Sequence, residues 1–366
     1  MTGNRIYRFI FAGGGTGGHL YPLIAVAQQI KKLLPEAEIL FVGTSNKIEA
    51  SVVPALGYNF KSIWISGFSR QLTIKNLLFP VKLLVGLTQS LLINMRFKPR
   101  VVIGAGSYVA GPVVWGGTVL GSKIMLLEQN SYPGITNRML DKKADEIHIS
   151  FEQSRKYFRV QSKLFLSGNP VRINLETKDK AASALHFGLD AKKKTIFITG
   201  GSLGAKSLNA CVADNIDELT AANTQLIWQT GKLYYEQYKK YKSAKVKVLE
   251  FVDDMSAAYS AADLVVARAG ATTIAEVAYL GVPVLFVPSP NVAENHQYKN
   301  AIALKEGNAA ELLEDSKLAT EFLPRVVELM NDEQRLDLYK QNIKSFSKSD
   351  AAKVIAEHAI RLAEGR

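Results

Sequence analysis

Short apolar runs alternate with longer stretches of helical character along the first half of the chain. The runs fall at Ile6–Ala12, Ile39–Val42, Ser62–Ile65, Val101–Ile103, Lys123–Leu127 and Glu146–Ile149. Helices are expected from Tyr21, Lys47, Gly111 and Thr136, with a long apolar segment over 76–95. Brief, nearly all-apolar runs spaced by helices describe strands buried on both faces, and hence a parallel sheet covered on each side. Near Leu164–Pro170 the pattern resets, and a second series runs through Thr195–Thr199, Gln225–Gln229, Lys247–Phe251, Leu264–Ala267 and Val284–Val287. Its helices are expected from Ala205, Tyr234, Met255, Thr272 and Gln297. Each half opens with the same device, an apolar strand, a glycine loop and a helix, at Phe9–Gly18 and again at Ile196–Ala205. The expected fold class is α/β, with two Rossmann-like domains joined near residue 170. Ligands of such sheets collect at the carboxyl ends of the strands, and a cleft between two domains is the natural place for a site.

Length and composition narrow the picture. At 366 residues the chain is long enough for two cores, and 47% apolar with 21% charged residues is ordinary for a globular protein. The single cysteine, Cys211, leaves no intrachain disulfide and no cysteine-based metal cluster, as expected of a reducing compartment. The amino terminus carries no signal-like apolar core, so a cytoplasmic location is expected. Of the net charge of +12, all lies in residues 1–170, which hold 20 Lys and Arg against 8 Asp and Glu, while residues 171–366 hold 25 of each. Such asymmetry points to a polyanion facing the first half, either nucleic acid or an anionic membrane. Within segment 76–95, Pro80, Lys82, Gln89 and Asn94 argue against a membrane span. Lys75, Lys82, Gln89 and Arg96 recur every seven residues as one drifting polar stripe, flanked by Arg70, Lys98 and Arg100. The expectation is that residues 70–100 touch an anionic membrane peripherally; the alternative is a helix buried against its own sheet.

The glycine-rich stretches carry the candidate chemistry. Gly13 to Gly18 follows a strand and opens a helix, so its backbone N–H groups and the helix dipole suit a phosphate. Read as G-x-G-x-x-G it also fits a dinucleotide site, but the next strand ends in Thr44-Ser45 and not in the acid that would hold a ribose. Gly104–Pro112 reads as a further glycine-rich turn, and Gly200–Ala205 provides the same facility in the second half. Gly270 to Thr273 places a turn and two hydroxyls before a helix, with Glu276 expected in its first turn, either as a capping carboxylate or as an acceptor for both hydroxyls of a ribose. His19 closes the first loop, and imidazoles as a class change charge near neutrality; it could act as a base, hydrogen-bond a phosphate or cap the helix. Glu128 is a second candidate base.

Eight motifs in order then carry a resemblance: GGGTGGH at 13–19, EQN at 128–130, GNPVR at 168–172, GGSLGA at 200–205, FVDDM at 251–255, ARAGATTIAE at 267–276, GVPVLFVP at 281–288 and NHQ at 295–297. Together they resemble the MurG family of peptidoglycan N-acetylglucosaminyltransferases over nearly the whole chain. The resemblance implies the two-domain GT-B architecture: an acceptor- and membrane-facing domain over 1–168, a UDP-sugar domain over 169–345, and a helix over 346–366 that packs back on the first domain. It implies an inverting transfer of N-acetylglucosamine from UDP to the 4-hydroxyl of undecaprenyl-linked muramyl-pentapeptide, with no cofactor and no metal. The chain has no Asp-x-Asp motif. Donor contacts implied by the resemblance are Thr16, Gly17, Gly18, Asn130, Arg172, Ser202, the Val252 backbone toward uracil, Ala271, Thr272, Thr273, Ile274, Ala275, Glu276 as ribose ligand, and Gln297. Acceptor contacts would be Gly14, Gly15, His19, Gly106, Tyr108 and Asn137. Ser107 departs from the family, which often has glycine there, and His296 stands where some relatives have glutamine. Expected partners are the two substrates, the cytoplasmic face of the inner membrane through residues 70–100, and other cell-wall synthesis proteins, with no nucleic acid. Two alternatives stand beside this reading: another UDP-sugar enzyme on the same scaffold, such as a UDP-N-acetylglucosamine 2-epimerase or a glycolipid synthase, and a non-enzymatic nucleic-acid or membrane binder.

Overall fold

The computed structural model describes residues 6–67, 78–172, 174–221 and 223–365, and Arg70 and Lys75 lie outside them. The chain divides into two compact units, one running to Ile173 and resuming at Lys348, the other Asn174–Ser347.

In the first unit the strands are β1 (Arg8–Ala12), β2 (Glu38–Gly43), β3 (Asn59–Ser62), β4 (Val101–Gly104), β5 (Lys123–Glu128), β6 (Glu146–Ile149) and β7 (Leu164–Leu166). The helices are α1 (Gly17–Leu33), α2 (Glu49–Ala55), α3 (Phe79–Phe97), α4 (Ser107–Val119) and α5 (Ile135–Leu140). The sheet is parallel in the order β3-β2-β1-β4-β5-β6-β7, so the strand order reverses between β1 and β4. On one face Phe9, Phe11 and Phe41 meet Leu20, Leu23 and Ile30 of α1; on the other, Ile10 and Val102 meet Val109, Val113 and Val114 of α4. Each such phenylalanine contributes roughly 2–3 kcal/mol through burial, and Phe11 stacks on Phe41 with centroids 5.1 Å apart.

In the second unit the strands are β8 (Lys194–Thr199), β9 (Thr224–Gln229), β10 (Val246–Leu249), β11 (Leu264–Ala267), β12 (Val284–Phe286) and β13 (Glu311–Leu312). The helices are α6 (Lys180–His186), α7 (Lys206–Asp214), α8 (Ile216–Leu219), α9 (Tyr235–Tyr238), α10 (Met255–Ala261), α11 (Ala271–Leu280), α12 (His296–Glu306), α13 (Leu318–Asn331) and α14 (Glu333–Asn342). The parallel order β10-β9-β8-β11-β12-β13 reverses between β8 and β11. The last helix, α15 (Ala351–Glu364), belongs to the first unit, where Ile355, Ala356, Ala359 and Leu362 join the core under α1.

Several element boundaries differ from the sequence expectation. The strand expected at Ser62–Ile65 lies earlier, at Asn59–Ser62. The glycine-rich turn expected through Pro112 ends at Gly106, because Val109, Ala110, Val113 and Val114 form a buried helical face that carries Gly111 and Pro112 inside α4. Glycine-proline pairs read as turns, and here packing overrides them. Glu276 stands in the second turn of α11, not the first, so a capping role is excluded by position.

Of the segment over 76–95, the part from Phe79 on lies in α3, and its polarity is inverted. The helix buries Gly86, Ser90 and Asn94 and exposes Val81, Leu84, Leu92 and Met95. Lys82 and Gln89 do not form an outward stripe: Gln89 Oε1 accepts from the Trp64 N–H at 2.7 Å, and Lys82 Nζ lies near Ser66 Oγ and over the Trp64 ring. Small residues let α3 approach α4 closely, since a Cβ on Gly116 would come within 3.0 Å of Asn94 Nδ2.

Candidate active site

Both reversal points carry glycine loops at the carboxyl ends of their strands, where open α/β sheets hold ligands. In the first unit, Gly13 to Thr16 link β1 to α1, and Gly15 takes φ +84°, which favours glycine. Behind this loop stands Glu49, 1% exposed at the start of α2. Its carboxylate accepts from the Gly15 N–H at 2.9 Å and from the Thr44 N–H and hydroxyl at 3.0 and 2.8 Å. A Cβ on Gly14 or on Gly43 would meet Glu49 atoms at 2.4 Å, so both glycines are required by the buried acid. The Gly15 amide is therefore committed within the protein and is not among the loop N–H groups open to a phosphate. The sequence offers a signal for Glu49 only in retrospect: it begins the helix after β2, beside the threonine that replaces the ribose acid.

His19 lies in the first turn of α1 with Nδ1 3.1 Å from Thr16 Oγ1. Its Nε2 side faces Gly106, whose added Cβ would lie 3.8 Å from Nε2 and 3.5 Å from Asn137 Nδ2. Gly106 and Ser107 both have positive φ, +78° and +64°; the second explains why glycine suits that position and why serine is strained there. Tyr108 leans over the first loop, its hydroxyl 3.7 Å from where a Gly15 Cβ would stand. Burial, and then the Glu49 charge, push the Tyr108 hydroxyl above the usual phenol range.

Glu128 ends β5 almost fully buried. It accepts from the N–H groups of Asn130 and Gly134 at 2.9 and 3.0 Å and from Asn137 Nδ2 at 2.9 Å. Burial pushes its carboxyl up, and those hydrogen bonds oppose the shift. The acid ties segment 128–137 together, while Asn137 Oδ1 is buried with no hydrogen-bond partner among the described residues. Arg172, in the same unit, places its guanidinium 4.7 Å from the Tyr21 ring of α1. Gly17 opens α1 and lies under that ring, with an added Cβ only 3.0 Å from it; Thr16 stands at the N-cap position, its carbonyl accepting the first N–H groups, and Gly18 is the second helical residue.

In the second unit, Gly201 and Gly204 have φ of +85° and +81°, and a Cβ on Gly204 would lie 2.0 Å from the Thr230 carbonyl oxygen. Neutral groups brace this loop. Thr199 Oγ1 accepts from the Gly201 N–H and from Gln229 Nε2, and Gln229 Oε1 accepts from the Val252 N–H at 2.9 Å. Val252 is buried with its N–H committed, so only its carbonyl remains for a base. Ser202 is exposed at the loop tip. Across the reversal point, β11 leads through Gly270 into α11, where Ala271 and Ile274 are buried and Thr272, Thr273 and Ala275 are half-buried. Thr272 Oγ1 is buried without a hydrogen-bond partner among the described residues. Glu276, 2% exposed, accepts from the Tyr259 hydroxyl at 3.0 Å. Gln297, in the first turn of α12, accepts from the Ser289 N–H. Arg268 spans the base of the site, bonding the Val287 and Pro288 carbonyls, Ser207 and Asp315.

Two family models match this chain: the glycosyltransferase family 28 N-terminal domain over residues 9–149 and the family 28 C-terminal domain over residues 195–358. The chain belongs to glycosyltransferase family 28. A Flavobacterium psychrophilum family 28 relative, a UDP-N-acetylglucosamine--N-acetylmuramyl-(pentapeptide) pyrophosphoryl-undecaprenol N-acetylglucosamine transferase, is 46% identical over 98% of this chain and 99% of its own. The crystal structure of Acinetobacter baumannii MurG superposes with a TM-score of 0.76 at 26% identity, covering 97% of this chain and 99% of that one. A UDP-GlcNAc 2-epimerase from Neisseria meningitidis bound to UDP-GlcNAc shares the fold alone, with a TM-score of 0.67 at 12% identity over 98% of this chain and all of the other.

Proposed function

We propose that this glycosyltransferase moves N-acetylglucosamine from UDP-N-acetylglucosamine to the 4-hydroxyl of undecaprenyl-linked N-acetylmuramoyl-pentapeptide, with inversion at the anomeric carbon. Family membership supports the reaction class. The observation that carries the chemistry is the convergence of His19, Gly106 and Asn137 at the reversal point of the first sheet. A direct displacement needs a base on the nucleophile, stabilisation of the leaving pyrophosphate and alignment. In our reading, the His19 Nδ1–H donates to Thr16 and Nε2 takes the proton from the acceptor hydroxyl. Glu128 is a positioning residue, since its oxygens already accept from Asn130, Gly134 and Asn137. Ser202, the amino terminus of α11 with Thr272 and Thr273, Glu276 and Gln297 receive the UDP moiety. Gly14, Gly15 and Tyr108 line the acceptor side.

The inverted α3 supports a peripheral membrane contact. Val81, Leu84, Leu92 and Met95 stand exposed along α3, and the exposed cations Arg96, Lys98 and Arg100 follow at and beyond its carboxyl end, a composition suited to an interface with anionic head groups. No helix among the described residues is long and apolar enough to cross a membrane. Leu84→Asp is expected to reduce co-sedimentation with anionic vesicles and leave UDP binding intact; unchanged sedimentation would remove α3 from the interface. The reaction itself is tested by transfer of labelled sugar from UDP-N-acetylglucosamine to a shortened lipid-linked muramyl pentapeptide. Labelled disaccharide product is expected, whereas UDP-N-acetylmannosamine formed without acceptor would establish the epimerase reading instead.

A further inference from the structure

Away from the glycine loops, three side chains of the first unit converge in a way glycosyl transfer does not use. Glu146 and His148 lie on β6 and His358 on α15, 212 residues further along than Glu146. Glu146 Oε2 is 3.1 Å from His148 Nε2 and 2.8 Å from His358 Nδ1, and the three ligand atoms all lie within 4.8 Å of one another. We propose that Glu146, His148 and His358 form a binding site for a divalent transition cation of the zinc class.

The donor set is two imidazoles and one carboxylate, a combination zinc accepts with a water in the fourth position. Ligand atoms about 2.0–2.1 Å from zinc stand roughly 3.3 Å apart in a tetrahedron. The two contacts to Glu146 are already close to that value, and the remaining pair of ligand atoms lies within 4.8 Å, with the His358 ring half-buried. The surroundings also suit a metal. Ser167 Oγ lies 2.7 Å from His148 Nδ1, so a Nδ1–H donated to the serine leaves the Nε2 lone pair turned toward Glu146, the orienting role that outer partners play around metal-bound histidines. Phe165 stacks on His148 at 5.4 Å and meets His358 edge-on at 4.8 Å, which walls the cluster with apolar surface. A bound cation would fasten the carboxyl-terminal helix to the edge of the first sheet, a structural role separate from the sugar chemistry.

The test is equilibrium dialysis of the full chain against zinc alone, followed by metal analysis and thermal melting. One zinc per chain is expected, with a melting temperature that rises with zinc. Cobalt in its place is expected to give the intense visible absorption of four-coordinate geometry. His358→Gln and Glu146→Gln, both partly exposed, should each weaken zinc at least tenfold, whereas His186→Gln, on α6 of the other unit, should leave it unchanged. The Arg361 charge acts on His148 and opposes a cation, so Arg361→Gln should tighten binding. Failure to retain zinc, or zinc held equally well by His358→Gln and Glu146→Gln, would overturn the site and leave only a hydrogen-bonded clamp.

Discussion

The two glycine loops open their sheets in the same way and are braced by opposite means. Behind the Gly13–Thr16 loop stands the Glu49 carboxylate, which takes the Gly15 N–H. The Gly200–Ala205 loop is braced by neutral groups, Thr199, Gln229 and the Thr230 carbonyl, and the charged pair next to it, Arg268 with Asp315, bonds Ser207 beyond the loop. The difference bears on where a phosphate can sit. A carboxylate about 6 Å from a phosphate charge, in an effective dielectric near 20, opposes it by on the order of 3 kcal/mol. The first loop therefore suits a neutral hydroxyl and a base, while the second, facing the start of α11 across its reversal point, suits the nucleotide diphosphate. In the proposed assignment, similar motifs take opposite partners because of one buried residue outside them.

The sharpest way to break this assignment is at the base. His19→Ala is expected to lower kcat by roughly 10²–10⁴-fold while UDP-N-acetylglucosamine affinity stays within a few fold, as equilibrium binding beside steady-state kinetics would reveal. A kcat near that of the wild type would take His19 out of the mechanism.

Next in size is Glu49→Gln. An amide presents one acceptor oxygen and one NH₂ group where the carboxylate accepts from both Gly15 and Thr44, so at least one charge-assisted hydrogen bond is lost. A loss of about 1.5–3 kcal/mol corresponds to roughly 10–150-fold in kcat/KM for the acceptor. An effect confined to the UDP-sugar KM would contradict the division between the loops.

A smaller effect concerns the scaffold. Burial pushes the Asp141 carboxyl up, but hydrogen bonds from the Arg159 side chain and backbone outweigh it and hold the group below the usual range. A depressed carboxyl contributes stability that is present above its unfolded value and is lost as pH falls through its folded one. Asp141→Asn should therefore lower the melting temperature at neutral pH, with the gap from wild type closing as pH drops below the ordinary carboxylate range. A gap independent of pH would show that packing, not charge, is what the substitution removes.

Much of this molecule is legible in its sequence, for physical reasons that also mark the limit. The apolar runs at Phe9–Ala12 and Ile196–Thr199 announce central strands because burial on both faces demands it, and both do form central strands. The glycines at 201 and 204 announce a tight loop because only they tolerate its backbone. The inverted face of α3 was hidden, since periodicity reports a stripe without saying which side meets the protein. Glu49 was hidden for a related reason: a lone glutamate near a helix start looks like a solvated cap until the fold places it beneath a loop 34 residues earlier. The commitment of the Val252 N–H was hidden because its partner, Gln229, ends a strand 23 residues earlier.

The most direct test of the division of labour is calorimetric titration of UDP into Glu49→Gln and Thr272→Val in parallel. Thr272 Oγ1 is buried without a partner among the described residues, so its removal costs the protein alone little and, in the proposed site, costs a bound nucleotide a hydrogen bond. UDP affinity is expected to fall about 5–10-fold in Thr272→Val and to stay at the wild-type value in Glu49→Gln. The reverse outcome, with UDP weakened by the change at Glu49 and indifferent to the one at Thr272, would contradict the assignment of nucleotide and acceptor to the two loops.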